Sequence, residues 1–328
     1  MPVRAVILVP VETAMGVKMK KLVLSTAAAV LVSTGLASAA DLPMKAPPPA
    51  PVVSPWDIAF GGAIMTDYNF RGISQSDRRP SATVYFEPRY NISSTVQLYV
   101  GIQPWITKLP TTPTGEFDLY GGIRPTFGAL ALDFGFIYYY YPGERQQFTD
   151  YATFVTPIPP RPFGATSILT LNNTDFWEVY AKGTYTFNDS FSVGAQFYYS
   201  DSWLNSGASG AFLNGTAKYV LPTNWLPNGI GAYISGDFGY YWLGTATNYQ
   251  PLIGPFALPD YATWDVGIGF TYKVFTFDVR YYDTDLTKAE CFVLTADPRG
   301  VPSGQSKWCG SSIIGKLSFD LTAATNLK

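Results

Sequence analysis

Residues 56–72 read Trp56-Asp57-Ile58-Ala59-Phe60-Gly61-Gly62-Ala63-Ile64-Met65-Thr66-Asp67-Tyr68-Asn69-Phe70-Arg71-Gly72. Alternate positions separate two chemistries. One set is Trp56, Ile58, Phe60, Gly62, Ile64, Thr66, Tyr68 and Phe70; the other is Asp57, Ala59, Gly61, Ala63, Met65, Asp67, Asn69 and Arg71. Successive side chains of a strand point to opposite faces of a sheet. The stretch is therefore a strand with one apolar, aromatic face and one small or polar face.

The same alternation returns along the chain. Val84, Phe86 and Tyr90 oppose Tyr85, Glu87 and Arg89, and Phe117, Leu119 and Ile123 oppose Asp118, Tyr120 and Arg124. Trp264, Val266 and Phe270 oppose Asp265, Gly267 and Thr271. We read about twelve such segments, near 56–72, 80–92, 95–107, 116–128, 130–142, 174–187, 190–202, 209–222, 229–243, 261–273, 274–286 and 311–322. A soluble β-sandwich also alternates. These segments are long, however, and match tilted membrane strands of about 9–11 residues or more. Aromatics gather at their ends, in Tyr138 to Tyr141 and in Tyr240, Tyr241 and Trp242, where barrels carry girdles at the membrane interfaces. Connections after even-numbered segments are mostly tight and those after odd-numbered segments longer, as with short periplasmic turns and long outer loops. The fold class that follows is all-β: a transmembrane antiparallel up-and-down β-barrel of about twelve strands over 56–322, with 323–328 as a C-terminal tail. An even number of strands places both ends on the periplasmic side.

Composition agrees. Charged residues make up only 14% of the 328, aromatics 16%, and the mean hydropathy is +0.07. A soluble domain carries about 25% charged residues. A wall in which every second residue meets lipid reconciles few charges with modest hydropathy. The formal net charge of -2 gives no case for nucleic-acid binding, which requires a basic patch or stripe.

The N-terminus reads as export. Met19-Lys20-Lys21 is a positive start, Leu22 to Leu36 an apolar stretch, and Ala37-Ser38-Ala39 a small-residue cleavage site. This is the pattern of a secretory signal peptide. We place it at 1–39, with translation beginning at Met15 or Met19 as a further reading. Residues 40–55 form a proline-rich periplasmic lead-in.

The block Met65 to Pro88 contains Thr66, Asp67, Tyr68, Phe70, Arg71, Gly72, Ser74, Gln75, Ser76 and Pro80. In that order they resemble the S/T-D-Y-x-F-R-G-x-S-Q-[ST] opening of the TorF-like porin family, also called Gcw_chp. The resemblance covers the first strand, first loop and second strand. It implies an outer-membrane barrel and a pore, without a defined solute. The chain departs from the usual barrel ending in a terminal aromatic: "KLSFDL", Lys316 to Leu321, reads as the closing strand, and the chain continues to Lys328.

Chemistry is constrained by the absence of His. Ser-His-Asp and Cys-His nucleophilic sites and His-based metal sites are all excluded. No cofactor motif or metal-ligand cluster stands out, and the reading is non-enzymatic. A carboxylate pair such as Asp67 with Glu87 is read as lumen charge balanced by Arg71 and Arg89. The lumen parity carries Asp67, Arg71, Glu87, Arg89, Asp118, Arg124, Asp133, Glu178, Lys182, Lys218, Asp237, Asp265, Asp278, Arg280, Lys316 and Asp320. Charges inside a wall must be paired or wet. Cys291 and Cys309 fall in the last long outer loop, and in an oxidising compartment two Cys form a bridge.

These features imply an outer-membrane barrel that passes small polar solutes or ions through a narrow charged lumen, with weak preference for cations. The alternative is a structural or surface-interaction barrel with a filled lumen. Expected partners are outer-membrane lipid, the barrel-assembly machinery and small polar solutes, not nucleic acid.

Overall fold

The structure, a computed structural model, describes residues 55–150, 167–222, 224, 226–249 and 254–326. The signal peptide and residues 40–54 lie outside the described residues. Twelve long strands among those described form one closed antiparallel barrel. They are β1 (Trp56–Met65), β2 (Ser81–Asn91), β3 (Val96–Trp105), β4 (Glu116–Phe127), β5 (Leu130–Tyr140) and β6 (Phe176–Asn188). The second half is β7 (Phe191–Ser200), β8 (Gly210–Val220), β9 (Ile230–Leu243), β10 (Tyr261–Tyr272), β11 (Phe275–Thr284) and β12 (Ser312–Thr322). Each strand pairs with its neighbours in sequence. β1 closes the sheet on β12 from Ala59↔Thr322 to Met65↔Lys316.

Closure is what hydrocarbon demands, since an open edge would leave N–H and C=O groups without partners. The alternating pattern then sorts the wall. Ile64, Val100 and Phe238 on the outer parity are 62%, 62% and 61% exposed, while Glu87, Asp118 and Glu178 on the inner parity are 4%, 6% and 0% exposed. Phe134 and Phe197 also face outward. Inward tyrosines lie against glycines of neighbouring strands. A Cβ on Gly122 would sit 2.7 Å from Tyr99 Oη, and one on Gly135 2.5 Å from the Tyr180 ring. The rings can therefore lie flat on the wall instead of crossing the lumen.

Two expectations change. The first strand ends at Met65, not near Gly72, because Arg71 (φ 49°) and Gly72 (φ 87°) turn the chain back through the left-handed region. The aromatic clusters at strand ends also divide by parity. Tyr140 and Trp242 face outward, whereas Tyr139, Tyr141 and Tyr241 are buried inside. They join Ile73, Phe176, Trp203, Phe212, Tyr261 and Trp308 in an apolar core at the outer end of the barrel.

The last outer loop carries helix α1 (Lys288–Thr295). Thr287 and Glu290 start it with a reciprocal capping box, which satisfies two otherwise free N–H groups. The Thr287 donors hold the Glu290 carboxyl below its usual range. A disulfide joins Cys291 of α1 to Cys309, and the Cys309 carbonyl accepts from Thr284 Oγ1 at 2.7 Å, tying the loop to the end of β11.

Phe238 and Thr216 test the sorting, because Gly215↔Phe238 and Thr216↔Asp237 set them at one height of the wall on opposite faces. We expect Phe238→Arg to destabilise the folded barrel by about 2–4 kcal/mol and Thr216→Arg by much less. Urea unfolding in lipid vesicles measures both, and equal penalties would contradict the assignment of faces.

Candidate functional site

The candidate site is the lumen, divided by the first outer loop. This loop, residues 66–80, folds inward as a small hairpin in which Asn69–Phe70 pair with Ile73–Ser74. Its base is fixed by short bonds. Asp67 accepts from Ser74 Oγ at 2.6 Å and Ser76 Oγ at 2.9 Å, and Arg78 reaches Asp67 at 3.2 Å. Arg78 also donates to the carbonyls of Lys307, Trp308 and Gly310. Asp77 accepts from Trp308 Nε1 at 3.1 Å and pairs with Arg299. The first and last outer loops therefore form one cap.

The tip of the hairpin reaches the far wall. Arg71 makes a bidentate pair with Glu178 of β6 at 2.7 and 2.8 Å. The two side chains are 6% and 0% exposed. Tyr139 and Tyr241 donate to the same carboxylate at 3.0 and 3.4 Å. The guanidinium lies 4.5–4.9 Å from the ring centroids of Phe70, Tyr198, Phe212 and Tyr241. A weakly hydrated, planar cation suits such an aromatic cage better than a lysine ammonium would. Gly72 follows because nothing larger fits: a Cβ would lie 2.5 Å from Thr263 Oγ1 of β10, at a φ that side chains rarely adopt. On the near side Tyr68 donates to Glu116 at 2.6 Å and stacks on Trp105 at 4.1 Å, and Trp105 Nε1 donates to Asp118 at 2.9 Å.

Below this hairpin the lumen is a ladder of charges. Glu87 accepts from Arg89 at 2.6 Å and from Arg124 at 2.7 and 3.0 Å, and Arg124 reaches Asp133 at 3.3 Å. Arg280 holds Asp265 at 2.5 Å, Asp278 at 3.1 Å and Asp237 at 3.9 Å. Lys182 and Lys218 lie over Tyr180 and Tyr233 at 4.2 and 4.1 Å. Asp320 accepts from Tyr85 at 3.0 Å, and Lys316 lines the same cavity. Among the described residues these three lysines form no ion pair with a carboxylate.

The expected pairing on the first hairpin is thus only partly present. Glu87 does meet Arg89, but Asp67 is held by Arg78, and Arg71 crosses the barrel to Glu178 because its loop leaves the wall. Sequence reasoning missed Glu116, Tyr68 and Arg78. Glu116 shares the parity of Asp118, which would have found it; the loop contacts of Tyr68 and Arg78 have no periodic signal.

Cavities flank the hairpin. One of about 220 Å³ lies between its tip and β7–β11, and another of about 240 Å³ is lined by its base and by β1–β3, β11 and β12. A larger one of about 420 Å³, lined by Ile73, Leu109, Trp203, Phe256, Phe292 and Trp308, lies among the outer loops.

Fold and lumen together define a porin-like barrel with a polar interior and an inward-folded first loop. Residues 50–173 match the family described as "Bacterial protein of unknown function (Gcw_chp)", in agreement with the motif of the first hairpin. No curated protein matches. Among solved structures the chain is similar to the KdgM porin, at 9% identity over 80% of this chain and 98% of that one, TM-score 0.41. It is also similar to the NanC porin, at 10% identity over 81% and 100%, TM-score 0.41. A third is OmpT, an outer membrane protein of Vibrio cholerae, at 10% identity over 82% and 98%, TM-score 0.35. At these identities and TM-scores the likeness says nothing of ligands or residues.

Removing one member of a buried ion pair leaves the other charge uncompensated, at a cost of about 3–5 kcal/mol. We expect Glu178→Gln to loosen the hairpin by that order. Hydrogen exchange at the amides of residues 69–74 measures it. Unchanged protection would show that the pair does not hold the loop.

Proposed function

We propose that the protein is an outer-membrane channel for small polar solutes and ions, non-enzymatic, whose path is closed by the first outer loop. Export through the signal at 1–39 and insertion by the barrel-assembly machinery belong to this reading. The observation that carries it is the contrast between the two halves of the lumen. The periplasmic half holds charges of both signs and cavities that reach the hairpin, as a wet path requires. The outer half is sealed by a segment attached through side-chain contacts, which can release without breaking the wall. Rings of charge select ions in pores: the three carboxylates around Arg280 attract cations, and Lys182, Lys218 and Lys316 offset them, so the preference for cations is weak.

A second reading is supported by the depth of burial at the tip. A pair as enclosed as Arg71–Glu178 suits a permanent plug, and the barrel would then serve structure or surface interaction.

Purified protein in a planar bilayer separates the two. The channel reading expects small, brief openings from the wild type. Arg71→Ala should raise the open fraction by at least ten-fold, a decade being about 1.4 kcal/mol off the closed state and less than the roughly 3–5 kcal/mol that loss of one partner of a buried pair costs. Silence from both proteins, with each folded, would overturn the channel and leave the filled barrel.

A further inference from the structure

The cavity beneath the hairpin tip contains two hydrogen-bonding atoms that the protein does not satisfy. Asn69 spends its Oδ1 on the Gly72 amide at 2.8 Å, and its Nδ2 is buried without a partner. Asn214 of β8 is the converse. Its Nδ2 reaches Asp237 at 3.5 Å, and its Oδ1 is buried without a partner. Both asparagines line the same cavity of about 220 Å³, one from the loop and one from the wall. A buried polar atom left unpaired costs about 1–3 kcal/mol, so a donor and an acceptor at one cavity call for an occupant that can both accept and donate.

The remaining polar lining narrows the class. Gln196 of β7, Thr263 of β10, and Asp237 and Asp265 complete it. The two carboxylates share Arg280 with Asp278, so the surroundings are not positive. Arg71 offers no free charge, because its Nη1 and Nη2 are paired end-on with the Glu178 carboxylate. Within the lining an anionic solute would meet two carboxylates and no unpaired cation. A hydroxyl group is donor and acceptor at once, and a ring of hydroxyls fits amides and carboxylates without a net charge of its own.

We propose that this cavity is a binding subsite for a neutral, polyhydroxylated solute of monosaccharide size, held between Asn69 of the inward loop and Asn214 of the wall. The inference deepens the channel reading and rests on it, since the solute must be able to enter the lumen. Asn69 sits two residues before Arg71. A solute bonded to it therefore engages the segment that closes the path.

The test uses the full mature barrel, with folding checked by its heat-dependent gel mobility. Calorimetric titration with D-glucose, D-glucuronate and potassium chloride compares wild type with Asn214→Leu, Asn69→Leu and Asn214→Ser. We expect saturable glucose binding, at least ten-fold weaker for glucuronate. Each Leu variant should lose about ten-fold, while Asn214→Ser, which keeps a hydroxyl acceptor, should stay within about three-fold. No glucose binding by the folded wild type overturns the subsite, as does equal binding by wild type and both Leu variants. Bilayer current in potassium chloride, recorded on the same preparation, scores the channel separately: current without glucose binding removes the subsite alone, and binding without current removes the channel alone.

Discussion

A strand that crosses hydrocarbon has no water to satisfy its backbone, so each N–H and C=O on the wall must find another strand. In this chain the demand is met by one contact between residues far apart in sequence, the pairing of β1 with β12. Once that seam closes, side-chain alternation does the remaining sorting. Ile64, Val100, Phe238 and their parity partners meet lipid, and the opposite parity has only the interior to occupy. The charges therefore need no separate explanation for facing inward. They need one for being tolerated there, which the Arg124 and Arg280 networks provide in the periplasmic half.

The outer half solves the same problem differently. There the acids Glu116, Asp118 and Glu178 face a lumen filled by the first loop, and the loop carries partners for Glu116 and Glu178, while Asp118 accepts from Trp105 of β3. Tyr68 donates to Glu116 and Arg71 to Glu178, so the plug is electrically complementary to the wall it meets. Its other side is fastened to the last outer loop through Arg78 and Asp77, and that loop is itself stapled by Cys291–Cys309. Staple, cap and hairpin form a chain of contacts that ends on a single ion pair against the inner wall of the outer half.

Much of the wall was legible in the sequence, because a period of two is written into every strand and lipid tolerates no exceptions at its midplane. All twelve segments correspond to strands. The tight turns, the long outer loops and the Cys291–Cys309 bridge follow the expected plan. The first loop was misread because its residues keep alternating beyond Met65. Asp67, Asn69 and Arg71 look like three more inward positions of a strand. What ends the strand is backbone conformation at Arg71 and Gly72 and the bonds of Ser74 and Ser76 to Asp67, none of which alters the alternation. Partners across the barrel, such as Arg71 with Glu178, depend on strand tilt and loop path. A one-dimensional pattern contains neither. The inward half of the Tyr138–Tyr141 run, Tyr139 and Tyr141, was, by contrast, readable from parity alone.

The central claim is that the inward hairpin is the element closing an otherwise continuous polar path. Removing its tip tests this most directly. Gln75 N–H already donates to the Tyr68 carbonyl at 2.7 Å, so residues 69–74 can be replaced by two glycines in a tight turn with every wall strand and the Cys291–Cys309 bridge left intact. Single-channel current in a planar bilayer should then be large and steady where the wild type opens only briefly. The same open fraction and current in the folded variant as in the wild type would place the path elsewhere and contradict the claim.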